Sequence, residues 1–270
     1  MKYKNILDMH VHTDNSFDGN HSTMYMCEKA CDKGLRAVAF TDHIETDCFY
    51  KEKFYKSAAQ SFFDSAKARY AFSGKIVVCI GVELGEPTYD VKTAENILDK
   101  WKYDFVIASI HNLRNKEDFY YIDYTKEDPF VLLDEYFDEL ICLADWGKFD
   151  SLAHLTYPLR YIEGEYHINV DLSKYQKKID QILSLLAEKD KALEINTSGL
   201  RQKLKRTLPD ESIVMRYKEL GGKLITIGSD AHYAKHLGLG IGKAMDMAKR
   251  CGFDSVTLFQ SRNPMEIPIE

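Results

Sequence analysis

The chain has 270 residues, of which 45% are hydrophobic and 29% charged, a composition typical of a globular protein. Its net charge of −6 disfavours nucleic-acid binding, because that affinity depends on Lys and Arg neutralising phosphates. No run approaches the ~20 apolar residues of a membrane span, and the six cysteines are scattered, which favours free thiols in a reducing compartment. We therefore expect a cytoplasmic protein that acts on small molecules, and not on nucleic acid or a membrane.

Short β-rich runs alternate with longer amphipathic stretches. The runs predict strands at Asn5–Met9, Ala37–Thr41, Ile76–Val82, Phe105–Ile110, Ser151–His154, Leu193–Asn196 and Leu224–Gly228, with a further run at Ser255–Phe259 that closes or flanks the set. The stretches predict helices at Thr23–Lys33, Phe54–Phe72, Thr93–Lys100, Phe130–Trp146, Leu172–Lys189, Ser212–Glu219 and Ala244–Arg250. About seven such repeats without a Pro/Gly-rich linker favour one closed α/β barrel over residues 1–270.

Side chains that can bind metals stand where the predicted strands end. His10 and His12 are two residues apart, so both can point to one face of the first strand and reach one ion. Later strands end in Thr41-Asp42-His43, Glu83, His111, His154 and Asp230-Ala231-His232. In parallel barrels the active site lies at this carboxyl end, and imidazole and carboxylate bind zinc, manganese or iron. The pattern predicts a divalent-metal centre.

These ordered motifs resemble those of the polymerase and histidinol phosphatase (PHP) superfamily. The resemblance runs from residue 8 to residue 232, and the length and flanking motifs are similar to the stand-alone histidinol-phosphatase branch. It implies a distorted (β/α)7 TIM-like barrel with three divalent ions at the carboxyl ends of the strands. It also implies three overlapping ligand sets, with Glu83 bridging the first two: His10, His12, Glu83 and Asp230; Glu83, His111 and His154; Asp18, His43 and His232.

Three acidic residues near these ligands have alternative interpretations. Asp18 stands where relatives often carry histidine, and Asp18-Gly19 is also a common turn pair. Asp8 and Asp42 flank ligand histidines. Each either accepts a hydrogen bond from a ligating imidazole or satisfies backbone groups at a strand end.

Clustered divalent ions activate a bridging water and neutralise phosphoryl charge, so the ligand set predicts metal-assisted hydrolysis by a metal-bridging hydroxide. We assign catalytic roles to Glu83, Asp230, His232 and Arg160. Arg160 and Arg201 follow predicted strand ends, and the planar guanidinium suits phosphate oxygens. Both segments also resemble substrate-binding loops of the histidinol-phosphatase family.

The resemblance implies hydrolysis of the phosphomonoester L-histidinol phosphate, a late step of histidine synthesis. The amine and imidazole of that substrate need polar partners, for which Asn112 and Glu117 are assigned and Glu45 is a further candidate. One alternative is a PHP phosphoesterase for a nucleotide or sugar phosphate. A second is an amidohydrolase-like metal hydrolase, disfavoured because Glu83 and His111 stand where a modified lysine is usual. A third is a non-catalytic metal-binding module, disfavoured by the complete ligand set. The sequence leaves the metal, the general acid and the oligomeric state open.

Overall fold

The computed structural model describes residues 3–270. In chain order its strands are β1 (Leu7–Val11), β2 (Ala37–Phe40), β3 (His43–Glu45), β4 (Val77–Gly85), β5 (Phe105–Ser109), β6 (Ser151–Leu152), β7 (Ala192–Asn196), β8 (Ile225–Gly228), β9 (Ser255–Gln260) and β10 (Asn263–Pro268). Its α-helices are α1 (Thr23–Asp32), α2 (Phe54–Ala71), α3 (Val91–Lys100), α4 (Pro129–Trp146), α5 (Leu159–Ile162), α6 (Gln176–Glu188), α7 (Ser198–Arg201), α8 (Glu211–Glu219) and α9 (Ile241–Arg250). Two 3₁₀ turns cover Leu172–Tyr175 and Ala234–His236.

Seven parallel strands form the barrel in the order β1-β2-β4-β5-β6-β7-β8. The first and last strands meet through the segment after β8: the amide of His12 donates to the carbonyl of Ala231 at 3.0 Å, and the amide of Asp230 donates to that of His10 at 2.8 Å. The buried apolar side chains form one continuous cluster around this sheet. The predicted α/β barrel class is therefore confirmed.

The structure differs from the predicted elements around the third barrel strand and at the C-terminal run. β4 extends to Gly85, and its carboxyl-terminal part pairs with β3, in which His43 lies beside Glu83. Three residues are too few to show a period of two, which is why β3 was not predicted. The run at Ser255–Phe259 flanks the barrel, because β9 pairs with β10 in an antiparallel hairpin.

Local signals set the ends of several helices. The side chain of Asp90 caps α3 by accepting the amide of Thr93 at 3.0 Å. Asp128 caps α4, in which Pro129 occupies the first turn, and Gly147 ends that helix with φ 63°. No helix within residues 3–270 is both long and apolar enough to cross a membrane.

The amino ends of the strands are covered by the β9–β10 hairpin. Two buried carboxylates lie there. Asp104 accepts the amide of Ser261 at 3.0 Å, and Asp150 accepts the amide of Val106 at 2.8 Å and the guanidinium of Arg262. With this end occupied by the hairpin, the polar residues predicted as ligands lie at the opposite, carboxyl ends of the strands.

Candidate metal centre

The nine predicted metal ligands converge at the carboxyl ends of the barrel strands. Each is carried by a strand or by the segment that follows one: His10 and His12 on β1 and just after it, Asp18 in the next loop, His43 in β3, Glu83 in β4, His111 after β5, His154 after β6, and Asp230 and His232 after β8. All except Asp18 and His232 are buried. Parallel strands bring these ends to one rim, so residues distant in sequence become neighbours.

Glu83 lies at the centre of this cluster. Its Oε2 is 3.0 Å from His10 Nε2 and 3.3 Å from His12 Nε2. Its Oε1 is 3.1 Å from His111 Nε2 and 3.0 Å from His154 Nε2. Oε1 therefore faces two imidazole nitrogens and Oε2 faces three, the third being His43 Nδ1 at 3.2 Å, which is an arrangement expected of a carboxylate that bridges ions.

A second group lies beside the first, around Asp18. Its Oδ2 is 3.0 Å from His232 Nε2, and its Oδ1 is 3.9 Å from His43 Nε2. His12 connects the two groups, since its ring stacks on that of His43 at 4.3 Å and its Nε2 lies 3.6 Å from Asp230 Oδ1. The Asp18 side chain is 42% exposed, so this group lies on the solvent side of the cluster.

The outer nitrogens of the imidazoles meet acceptors that sequence reasoning largely missed. His10 Nδ1 lies 2.7 Å from Oε1 of Glu194, a buried residue of β7. His12 Nδ1 lies 3.1 Å from the hydroxyl of Ser16, which donates to Asp42 at 3.0 Å. With Nδ1 bonded outward, Nε2 is left as the metal-binding nitrogen.

Asp8 and Asp42 do not contact a ligand imidazole directly. Asp42 accepts the amide of Thr13 at 2.6 Å in addition to the Ser16 hydroxyl, so it acts on His12 through that serine. Asp8 accepts the amide of Ser229 at 2.8 Å and its hydroxyl at 2.6 Å. Its role is therefore to fix the strand end, the second of the two interpretations.

The Glu45 carboxylate lies close to two of the ligand imidazoles. Its Oε1 lies 3.1 Å from His43 Nδ1 and 3.4 Å from His111 Nδ1. The carboxylate fits because residue 85 is glycine: a Cβ on Gly85 would lie 1.6 Å from Glu45 Oε2. Behind it, burial and the nearby Glu45 raise the pKa of Glu86 well above its ordinary value. The structure thus directs the Glu45 carboxylate at ligand imidazoles.

The charges at the centre are mutually dependent. Burial acts to raise the pKa of Glu83, but neighbouring imidazoles, above all His10, hold it well below its ordinary value. Burial also opposes ionisation of Asp230, whose pKa Arg160 and His10 hold well below the usual range. In the other direction, burial acts to lower the pKa of His10, but Glu194 and Glu83 raise it well above normal. The anionic oxygens therefore require compensating positive charge, which protons or metal ions can supply.

The donor set fits divalent ions. His12 Nε2 and His232 Nε2 are buried atoms that approach carboxylate oxygens but make no hydrogen bond of suitable geometry in the described part of the chain. Three of the atom groups close enough to share an ion consist of predicted ligands alone: His12, His43 and His232; His10, His12 and Glu83; His43, Glu83 and His111. The structure therefore contains clusters of imidazole and carboxylate able to hold metal ions.

A pocket of about 1510 Å³ opens over the cluster, and Arg160 lines it together with Asn112 and Glu117. Arg160 Nη2 donates to Asp230 at 2.9 Å and to the hydroxyl of Ser198 at 2.7 Å, while its Nε is buried without a partner in residues 3–270. An unpaired guanidinium N–H beside the cluster is suited to a phosphate oxygen.

Arg201 has a different environment. Its two terminal nitrogens donate to the carbonyls of Ser229 and Asp230 at 2.5 and 2.6 Å. Asp230 has a positive φ of 54°, a conformation that needs support from its surroundings. The guanidinium supplies that support, and the predicted contact of Arg201 with substrate stays a prediction.

Comparison with known proteins finds a domain family and relatives named histidinol-phosphatase. The sequence matches the PHP domain over residues 8–198. A protein of Clostridium acetobutylicum named "probable histidinol-phosphatase" is 31% identical over 266 residues, covering 95% of this chain and 98% of the relative. A histidinol-phosphatase of Lactococcus lactis subsp. lactis is 31% identical over 262 residues, covering 94% of each.

One solved structure extends the likeness to three dimensions. The crystal structure of histidinol phosphate phosphatase from Lactococcus lactis, in complex with zinc, L-histidinol and phosphate, has a TM-score of 0.78 and 27% identity, and covers 97% of this chain and 99% of that one. The domain match spans most of the present chain, and the ordered histidine and carboxylate motifs converge at the carboxyl ends of its barrel strands. The chain therefore belongs to the PHP domain family.

Proposed function

We propose that the chain is a metal-dependent phosphomonoester hydrolase that converts L-histidinol phosphate and water into L-histidinol and phosphate. The observation that carries the proposal is the centre itself: each oxygen of Glu83 faces two or more imidazole nitrogens, beside an Arg160 that keeps one N–H unpaired. The relatives from Clostridium acetobutylicum and Lactococcus lactis are named probable histidinol-phosphatase and histidinol-phosphatase, and the Lactococcus lactis structure contains histidinol and phosphate.

The proposal includes three divalent ions in the overlapping sets expected from the family resemblance. The grouping of Nε2 atoms around Glu83 Oε2, around Glu83 Oε1 and around Asp18 supports this number. Zinc, manganese and iron all accept imidazole and carboxylate ligands. The zinc in the Lactococcus lactis complex favours zinc among them.

When bound, the ions would supply a water nucleophile at neutral pH and neutralise charge on the phosphoryl oxygens. The side chains of the protein position the phosphoryl group and balance its charge. Arg160 directs its unpaired Nε to a non-bridging oxygen and offsets the charge that grows there in the transition state. Asp230 fixes that guanidinium through its bond to Nη2 at 2.9 Å. Glu83, Asp230 and His232 would hold the ions in fixed positions relative to the Arg160 guanidinium.

The organic part of the substrate would occupy the outer pocket. Asn112 donates to Asp47 at 3.2 Å, and Glu117 lines the same pocket, so that acceptors are available for an amine. The exposed rings of Tyr120 and Tyr121 line the pocket as well and could cover an imidazole. A single domain over residues 1–270 and a cytoplasmic location stay predictions from the sequence.

The test is phosphate release by the purified protein from histidinol phosphate and from a panel of nucleotide and sugar phosphates, with zinc or manganese and with a chelator. We expect preferential turnover of histidinol phosphate that the chelator abolishes. Preferential turnover of another ester would move the substrate assignment to a different phosphoester. Metal-loaded protein that releases no phosphate from any ester would refute the proposal.

Arg160→Gln tests the phosphate contact separately. It should leave the metal content unchanged and lower kcat/KM by about tenfold or more, the effect expected when a charged hydrogen bond of about 1.5–3 kcal/mol is lost. Unchanged kinetics would remove Arg160 from the site. Arg36→Gln, a change at an exposed position whose guanidinium contacts Asn5, provides a matched control.

A further inference from the structure

β7 is the barrel strand to which sequence reasoning assigned no ligand, yet it carries two buried polar side chains at the centre. Glu194 and Asn196 are two residues apart and both have zero exposure. Residues two apart on a strand share a face. A buried carboxylate is strongly destabilising unless its hydrogen bonds are made, so these two side chains require an explanation within the site.

Glu194 uses both oxygens on predicted metal ligands. Its Oε1 lies 2.7 Å from His10 Nδ1. Its Oε2 accepts the backbone amide of His154 at 2.9 Å and the side-chain amide of Asn196 at 3.1 Å. Because a carboxylate only accepts hydrogen bonds, the proton of the His10 ring is placed on Nδ1. His10 Nε2, which faces Glu83 Oε2 at 3.0 Å, is then the nitrogen whose lone pair an ion bound beside Glu83 would take.

The neighbouring strand β8 leaves space for this contact. A Cβ on Gly228 would lie 2.3 Å from the Cβ of His10 and 2.4 Å from Oε1 of Glu194. Neither distance is compatible with any side chain at residue 228. The close approach of His10 and Glu194 is therefore built by three strands together.

Asn196 continues the chain of hydrogen bonds toward the phosphate side. Its Oδ1 accepts the amide of Ser198 at 3.0 Å and the hydroxyl of Ser198 at 2.6 Å. The same hydroxyl accepts Nη2 of Arg160 at 2.7 Å. Asn196 Nδ2 lies 3.4 Å from Asp230 Oδ2. One buried path thus leads from a metal-ligand imidazole to the arginine beside the centre.

We propose that Glu194 is the positioning residue of this centre: it fixes a proton of His10 on Nδ1 and, through Asn196 and Ser198, holds Arg160 in place beside the metal ligands. The part that concerns Arg160 rests on the proposed phosphatase function. The part that concerns His10 requires only that the centre binds metal ions.

Glu194→Gln is the principal variant. An amide keeps the shape of the side chain but has one acceptor oxygen, so it cannot serve both His10 and the His154 amide. With the amide NH₂ toward His10, the ring proton moves to Nε2 and blocks the lone pair that binds an ion. We expect the affinity for one ion to fall about 10- to 100-fold, the usual effect of losing such a partner, as measured by chelator competition with zinc. The visible absorption of the cobalt-substituted protein should also change.

Thr226→Val is the matched control for loss of a buried hydrogen bond. Thr226 lies two residues before Gly228 and its hydroxyl lies 2.7 Å from that of Ser151, with both residues fully buried. It should lower the melting temperature yet keep wild-type zinc affinity and cobalt absorption. If Glu194→Gln fails to fold, Glu194→Asp replaces it, since the shorter carboxylate keeps its charge but cannot reach both partners.

Asn196→Ala separates the two halves of the path. It should keep zinc affinity within about twofold and raise KM for the phosphoester about fivefold, the equivalent of one hydrogen bond. Wild-type zinc affinity and cobalt absorption in both Glu194 variants would overturn the proposal, as would an equal loss of zinc affinity in Thr226→Val. A loss of zinc affinity in a protein that hydrolyses no phosphoester would refute the phosphatase function and leave the role of Glu194 at His10 standing.

Discussion

Replacing Glu83 with glutamine removes one ligand oxygen and one negative charge from the centre while keeping the side-chain volume. In the wild type, Oε1 faces His111 and His154 at 3.1 and 3.0 Å, and Oε2 faces His10 and His12 at 3.0 and 3.3 Å. The single amide oxygen can serve one of these pairs, and the NH₂ group repels an ion at the other. We therefore expect the variant to lose at least one bound ion per chain.

The rate effect follows from the lost ion. An ion that neutralises phosphoryl charge contributes several kcal/mol to the transition state, and 1.36 kcal/mol corresponds to a factor of ten, so a loss of ~4 kcal/mol lowers kcat about a thousandfold. The assays are elemental analysis of the desalted protein and phosphate release at saturating histidinol phosphate. Glu219→Gln, at an exposed position of α8, is the control for the chemical change alone. A Glu83→Gln protein with wild-type metal content and kcat would refute the bridging role.

Three further outcomes are expected. Asp18→Asn should lose the most exposed ion and keep the others, since the Asp18 side chain is 42% exposed; elemental analysis showing wild-type content would exclude Asp18 as a ligand. Gly85→Ala should displace the Glu45 carboxylate, because the new Cβ would lie 1.6 Å from its Oε2, and weaken zinc binding about tenfold or more; an unchanged dissociation constant would contradict this. Burial acts to lower the pKa of His43, but Glu83 and Glu45 raise it to about 9. A ligating imidazole must lose its proton, so zinc affinity should rise from pH 7 toward pH 9 with proton release; a flat profile would contradict this.

The sequence predicted the barrel and the convergence of the ligands because both depend on simple regularities. Strand and helix periods alternate along the chain, and parallel strands must end at one rim. Once His10 and Asp230 are placed at the carboxyl ends of the first and last barrel strands, closure of the barrel brings them together, and the amide of Asp230 donates to the carbonyl of His10.

The outer partners of the ligands were harder to predict. Glu45, Glu86 and Glu194 are acidic, and acidic side chains are usually exposed, so their burial is decided by neighbours distant in sequence. A signal was present in β7, where Glu194 and Asn196 alternate with the apolar residues of the strand. That pattern indicates polar groups facing the barrel interior. The matching gap at Gly228, in contrast, can be recognised only when three strands are assembled.

The hairpin at the amino ends of the strands has a consequence for biosynthesis. Asp150 is buried in the barrel and receives a guanidinium from Arg262, which lies between β9 and β10. A buried carboxylate deprived of its cation is strongly destabilising. All seven barrel strands leave the ribosome before residues 255–268, so until the hairpin emerges a nascent barrel lacks both the cover over its amino ends and the cation that pairs with Asp150. Completion of the native fold is thereby tied to late translation, and chains cut short within the hairpin should be less stable than the complete chain.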